Sequence, residues 1–235
     1  MAKVKRLGML VPSSNTVVEP ETHRLLPPDG SVTTHVSRLK VVQVSAEESS
    51  LQQFELDRVL AAAELLVDAT VDLILWNGTA ASWLGFNRDA DMVEAIESAT
   101  GIAATTAVIA LNDRLAALGA CRIGLVTPYV ETLESRIIAN YQGAGFEVAA
   151  AERAEMTENT SFAAIAPARI ANMVRHVAKT PVDAILILCT NLAGASVAGV
   201  LSAELGTPVL DSVVVAIEHS LNLLRGGERK GRARQ

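Results

Sequence analysis

Two stretches of this chain repeat one pattern of apolar and polar positions. VDLILWNGTAAS from Val71 and VDAILILCTNLAGAS from Val182 each run from a Val-Asp pair through an apolar run into a turn of small, polar residues. An apolar run of that length, closed by such a turn, reads as a buried strand. Counted from Asp72 and Asp183, Gly78 and Cys189 fall at the same offset. Similar runs predict strands at Arg6–Val11, Thr33–Leu39, Leu73–Trp76, Ala103–Thr106, Ile123–Val126, Glu147–Ala151, Ile185–Leu188 and Val209–Asp211. Between them, Glu47–Ala69 carries apolar residues at helical spacing (Leu51, Phe54, Leu60, Leu65, Leu66), and Asp89–Ser98, Thr106–Leu118, Val130–Gln142, Pro167–Lys179 and Leu192–Glu204 read alike. Alternating strands and helices predict βαβ units and parallel sheets.

The repeat extends further. RLGMLVPSSNTVVEPE and RIGLVTPYVETLES both set a strand before a proline-containing loop and an acidic helix start. TGIAATTAVIALNDRLAALG and LGTPVLDSVVVAIEHSLNLL both give a strand and then an apolar helix. Three matching blocks in one order predict an α/β protein of two pseudo-symmetric, doubly wound lobes. Each lobe is expected to hold a parallel four-stranded, flavodoxin-like sheet, with the active site in the cleft between them. The expected division is 1–117 plus 209–225 for the first lobe and 118–208 for the second. The basic segment 226–235 reads as a solvated, disordered terminus.

Composition supports packed helices on parallel sheet: half the residues are apolar and a fifth charged. That excludes disorder of the whole chain. A net charge of −6 argues against a general nucleic-acid surface. Pro12 cuts short the only apolar run near the basic start, so no signal peptide is read, and no run reaches membrane-spanning length. The expectation is a cytoplasmic protein with neither nucleic acid nor membrane as partner, monomeric or homo-oligomeric. Cys121 and Cys189 sit in unlike contexts, so a disulfide is not expected, and Cys121 reads as structural. His23, His35, His176 and His219 show no metal spacing. Gly-rich phosphate loops and a G-x-S-x-G elbow are missing, so neither metal nor cofactor is expected.

Ligands of doubly wound sheets bind beyond the carboxyl ends of the strands. That edge carries Pro12–Thr16, Asn77–Ser82, Pro128–Tyr129 and Cys189–Ala195. Helix starts there would offer N–H groups to anions without Lys or Arg. Neutral donors on both lobes suit a small dicarboxylate. Ser13, Thr16 and Ser82 read as helix caps; Asn15, Thr79 and Tyr129 read as ligand contacts. Pro12, Ser13, Ser14 and Asn77 line the pocket, and Thr190 and Asn191 complete the donor set. Cys189 ends a strand; at a helix N-terminus its thiolate would be favoured, which would make it a usable acid or base.

At these residues the chain resembles the aspartate/glutamate racemase superfamily, in its maleate cis-trans isomerase and arylmalonate decarboxylase branch. The resemblance rests on VPSSNT-x-x-E at Val11–Glu19, NGTAAS-x-x-G at Asn77–Gly85, TGIAATTAV, RIGLVTPY and the Cys189 strand. It implies cofactor-free chemistry at the α-carbon of a small carboxylate, with two facing cysteines in racemases. Cys189 matches the second cysteine, and Gly78 stands where the first would be, as in arylmalonate decarboxylases. The resemblance therefore implies decarboxylation first. Thr79, Tyr129 and the backbone of Thr190 would stabilise an enediolate, and Cys189 would protonate it. Ala80 replaces a frequent Ser, and Asn15 is isomerase-like. The alternatives are a maleate isomerase or racemase pairing Cys189 with a non-thiol group, and a non-catalytic carboxylate-binding protein.

Overall fold

The two Val-Asp aspartates explain why the halves fold alike. Asp72 Oδ2 accepts the N–H of Arg6 at 2.8 Å, and Asp183 Oδ2 accepts those of Cys121 and Arg122 at 2.8 and 2.7 Å. Each thereby pins the start of a central strand beside its own, and the bonds hold both carboxyls below the usual range. The computed structural model describes residues 3–44 and 55–226. Among them, the first sheet has β1 (Lys5–Pro12), β2 (Val32–Leu39), β3 (Leu73–Trp76) and β4 (Ala104–Thr106), in the order β2-β1-β3-β4. The second has β5 (Arg122–Thr127), β6 (Glu147–Arg153), β7 (Ala184–Ile187) and β8 (Val209–Asp211), in the order β6-β5-β7-β8. All pairings within these sheets are parallel.

The helices are α1 (Val18–Leu25), α2 (Leu56–Asp68), α3 (Ala81–Leu84), α4 (Asn87–Thr100), α5 (Ala107–Leu118), α6 (Glu131–Gly143), α7 (Asn159–Phe162), α8 (Pro167–Val177), α9 (Ala195–Leu205) and α10 (Ser212–Leu224). The part of the expected helix over 47–54 and the tail from 227 onward lie outside the described residues. Side chains of β3 alternate between two cores, as period-2 geometry requires. Leu73 and Leu75 join a large core that runs on into the second lobe. Ile74 and Trp76 join an outer core with Met92 and Ile96 of α4. Central-strand glycines let a helix approach closely. A Cβ on Gly124 would meet Val177 Cγ1 of α8 at 2.3 Å, and one on Gly8 would meet Leu66 Cδ1 of α2 at 3.1 Å.

One boundary is corrected. The segment from 209 was assigned to the first lobe, yet β8 pairs with β7 in the second sheet, from Ile185↔Val209 to Ile187↔Asp211. The helix that follows, α10, does pack on the first lobe's α1 and α5. The repeat carries the reason: LGTPVLDS matches the block that forms β4, so each sheet takes its fourth strand from its own half.

Candidate active site

Cys189 lies two residues past the end of β7 and is only 3% exposed. Its neighbourhood differs from the expected helix start, because α9 begins at Ala195 with Gly194 as cap. Cys189 thus lies in the loop ahead of that helix rather than at its first turn. It accepts a long hydrogen bond from the Asn191 N–H, at 3.4 Å. Burial dominates and pushes the thiol up to about 11, against the pull of the Tyr129 hydroxyl and the Asn191 and Leu192 N–H groups. Asp211 adds to the upward push. Cys189 is thus a neutral thiol at neutral pH.

Tyr129 is buried at the end of β5, and its hydroxyl lies 3.0 Å from Thr79 Oγ1 across the cleft. Burial first, and then the facing sulfur, drives this phenol well above its ordinary range, so it remains a neutral donor. Its ring is packed edge-on by Trp83 at 4.9 Å and Phe162 at 5.7 Å. Asn15 Nδ2 donates to Thr190 Oγ1 at 3.1 Å, and Thr190 Oγ1 donates to the Asn77 carbonyl at 2.9 Å. The Thr16 N–H donates to Asn191 Oδ1 at 3.0 Å. Asn191 Nδ2 in turn donates to the Asn159 carbonyl, and Asn159 Nδ2 to Ser14 Oγ at 2.7 Å. Donors from both lobes are thus bonded to one another beside the Cys189 loop.

The loops divide capping and lining differently from expectation. Asn15 Oδ1 caps α1, accepting the N–H groups of Val17 and Val18 at 3.0 Å each. Ser13 and Ser14 bond the Val41 backbone instead, Thr16 is exposed, and Ser82 Oγ donates to the Thr79 carbonyl at 2.6 Å. Asn15 is long enough to do both jobs: Oδ1 caps while Nδ2 reaches Thr190. Pro12, Asn77, Gly78, Thr79 and Ala80 are buried beside it. Cys121 is exposed ahead of β5, at the far edge of the sheet, so its thiol supports no core. Among the described residues, no group of three His, Cys, Asp or Glu stands close enough to hold a metal ion. No helix there is long and apolar enough to cross a membrane.

Residues 7–232 match the family model of arylmalonate decarboxylase. The chain belongs to the arylmalonate decarboxylase family. Maleate isomerase of Geobacillus stearothermophilus is 30% identical over 241 residues, covering 95% of this chain and 94% of that one. The crystal structure of maleate isomerase Iso from Pseudomonas putida S16 superposes with a TM-score of 0.86 at 27% identity, covering 95% and 94% of the two chains. A cysteine-to-serine mutant of Nocardia farcinica maleate cis-trans isomerase, with a covalently bound succinylcysteine intermediate, gives a TM-score of 0.83 at 25% identity and covers 95% and 93%.

This member of the arylmalonate decarboxylase family uses groups near the cleft that pattern reading missed. Arg38 is paired in register with Val11, and Arg153 occupies the matching place beside Thr127. Arg38 Nη1 donates to the carbonyls of Ser13 and Asn15 at 3.0 Å each and to that of Pro12 at 3.4 Å, while Nη2 pairs with Glu19 at 2.8 Å. Drawing these carbonyls to one side orients the first loop. Arg153 pairs with the buried Glu134 at 2.8 Å, and Glu134 accepts from Thr127 at 3.4 Å. Asp211 caps α10 through Oδ1, which accepts the Val213 and Val214 N–H groups at 2.9 and 3.0 Å, while buried Oδ2 has no partner. Burial pushes its carboxyl up to about 7. The matching places of the two arginines become visible only through strand register. Asp211, by contrast, carried a signal in its own sequence: an Asp two residues before the helical Val-Val is a cap pattern.

Proposed function

We propose that the chain is a cofactor-free cis-trans isomerase of a small unsaturated dicarboxylate, with maleate as the first compound to test. The observation that carries this reading is the set of polar side chains that meet from both lobes beside Cys189: Asn15 and Thr79 from one, Tyr129, Thr190 and Asn191 from the other. Two sets of neutral donors suit two carboxylates held apart. Asn15 makes the first loop polar, which disfavours an ejected carboxylate that must be poorly solvated. The maleate isomerase relatives support the same choice.

A neutral thiol is competent for this reaction. A sulfur lone pair forms a bond to one alkene carbon, the π pair takes up the thiol proton at the other, and the S–H pair stays on sulfur. The product is a succinyl thioether with a freely rotating C–C bond. Rotation brings the other hydrogen of the new methylene beside the C–S bond; its transfer to sulfur as that bond breaks releases the trans isomer. Tyr129 and Thr79 donate to the carboxylate that gains charge as the C–S bond forms. Incubation with maleate should yield fumarate by NMR, and intact mass should show the chain plus one maleic acid. Conversion by Cys189→Ala at the parent rate would refute the reading.

A second reading, decarboxylation of a substituted malonate, draws on Gly78 and on the neutral thiol, which suits a one-sided proton donor to an enediolate. Release of CO2 from methyl- or phenylmalonate, with maleate untouched, would favour it.

A further inference from the structure

Trp76 closes β3, is fully buried, and its Nε1–H has no hydrogen-bond partner. Packing alone therefore holds the ring. Trp76 and Gly78 are two residues apart, and in extended chain such residues face the same way. A Cβ on Gly78 would lie 2.3 Å from Cζ2, 2.4 Å from Cε2 and 2.7 Å from Nε1 of the indole. These separations are far inside van der Waals contact, and the atoms met belong to a rigid ring rather than a flexible chain end. Leu10, Val41, Met92 and Ile96 belong to the same outer core as the ring. A cavity of about 210 Å³ is bordered by Trp76, Ala80, Ala81 and Met92.

We infer that Trp76 is the specificity-determining residue of the first lobe: its indole occupies the volume of a residue-78 side chain and so limits the site to the single thiol of Cys189. Position 78 accepts only hydrogen while the indole stays. A first-lobe thiol, and with it chemistry on both faces of the substrate, requires a smaller residue at 76 or displacement of the ring into the cavity. The functional part of this inference rests on Cys189 being the reacting thiol; the steric part does not.

The test is a cycle of Gly78→Cys, Trp76→Phe, Trp76→Leu and the two double variants, all in a Cys121→Ser background. Three readouts are taken: melting temperature, the number of thiols that react with a chromogenic disulfide in the folded state, and maleate conversion with its KM and kcat. Gly78→Cys alone should lower the melting temperature and add no reactive thiol. With Phe or Leu at 76 the same substitution should cost less and add one reactive thiol to the count of the matching Gly78 protein. Phe loses no hydrogen bond, so it serves if Leu does not fold. Emission of Trp76 in a Trp83→Phe background should shift on Gly78→Ala, because the ring must move. Unchanged melting temperature and emission on filling position 78, or a penalty independent of residue 76, would overturn the inference. Loss of maleate conversion across the cycle with the coupling intact would instead count against the proposed reaction.

Discussion

The buried thiol makes a sharp kinetic prediction. Cys189 sits at about 11, about two pH units above the ordinary 9.0, chiefly because burial disfavours the thiolate. At about pH 8 an ordinary thiol is about one-tenth ionised and Cys189 about one-thousandth, a factor of ~100 in the reactive species. Alkylation by iodoacetamide, followed by intact mass in a Cys121→Ser background, should therefore climb tenfold per pH unit up to about pH 10. Tyr129→Phe should move the profile further up, because the hydroxyl holds the thiol down. The same shift bears on stability. The folded value lies above the unfolded one, so the contribution is fully present below about pH 9 and lost as pH rises to about 11. It amounts to roughly 2.7 kcal/mol for two units, and Cys189→Ala should abolish that part of the alkaline slope. An alkylation profile that levels off near pH 8 or below would refute the assignment of burial as the dominant cause.

Three further outcomes are expected. Burial raises the Asp89 carboxyl to about 7 against its bond from Thr106, so folded stability should fall by on the order of 4 kcal/mol as pH rises from about 4 to about 7. Asp89→Asn should remove that loss in urea titrations at the two pH values, and an unchanged pH slope would contradict it. Arg38→Met frees three loop carbonyls, so maleate KM should rise about tenfold or more, with Arg38→Lys intermediate; equal KM in all three proteins would show that the first loop holds itself. Gly124→Ala should destabilise by ~1–3 kcal/mol through its collision with Val177, and Val177→Ala should offset part of that cost in a denaturation cycle; additive losses would mean the two do not touch.

The residue pattern alone determined the two lobes, the eight strand positions and the parallel sheets, because apolar runs, alternation and an internal repeat are local features that survive in one dimension. It also determined which loops meet, since strand direction fixes which edge they share. Tertiary structure decided the rest. The protonation of Cys189 depends on burial from every side, which spacing does not reveal. Asn15 as cap and cross-lobe donor together depends on where Thr190 stands. The restriction at Gly78 depends on which face of β3 takes the indole, and the matching Arg38 and Arg153 clamps depend on strand register. Periodicity is set by the backbone, residue by residue. Desolvation, excluded volume and charge pairing are set by whatever distant chain happens to close over each group.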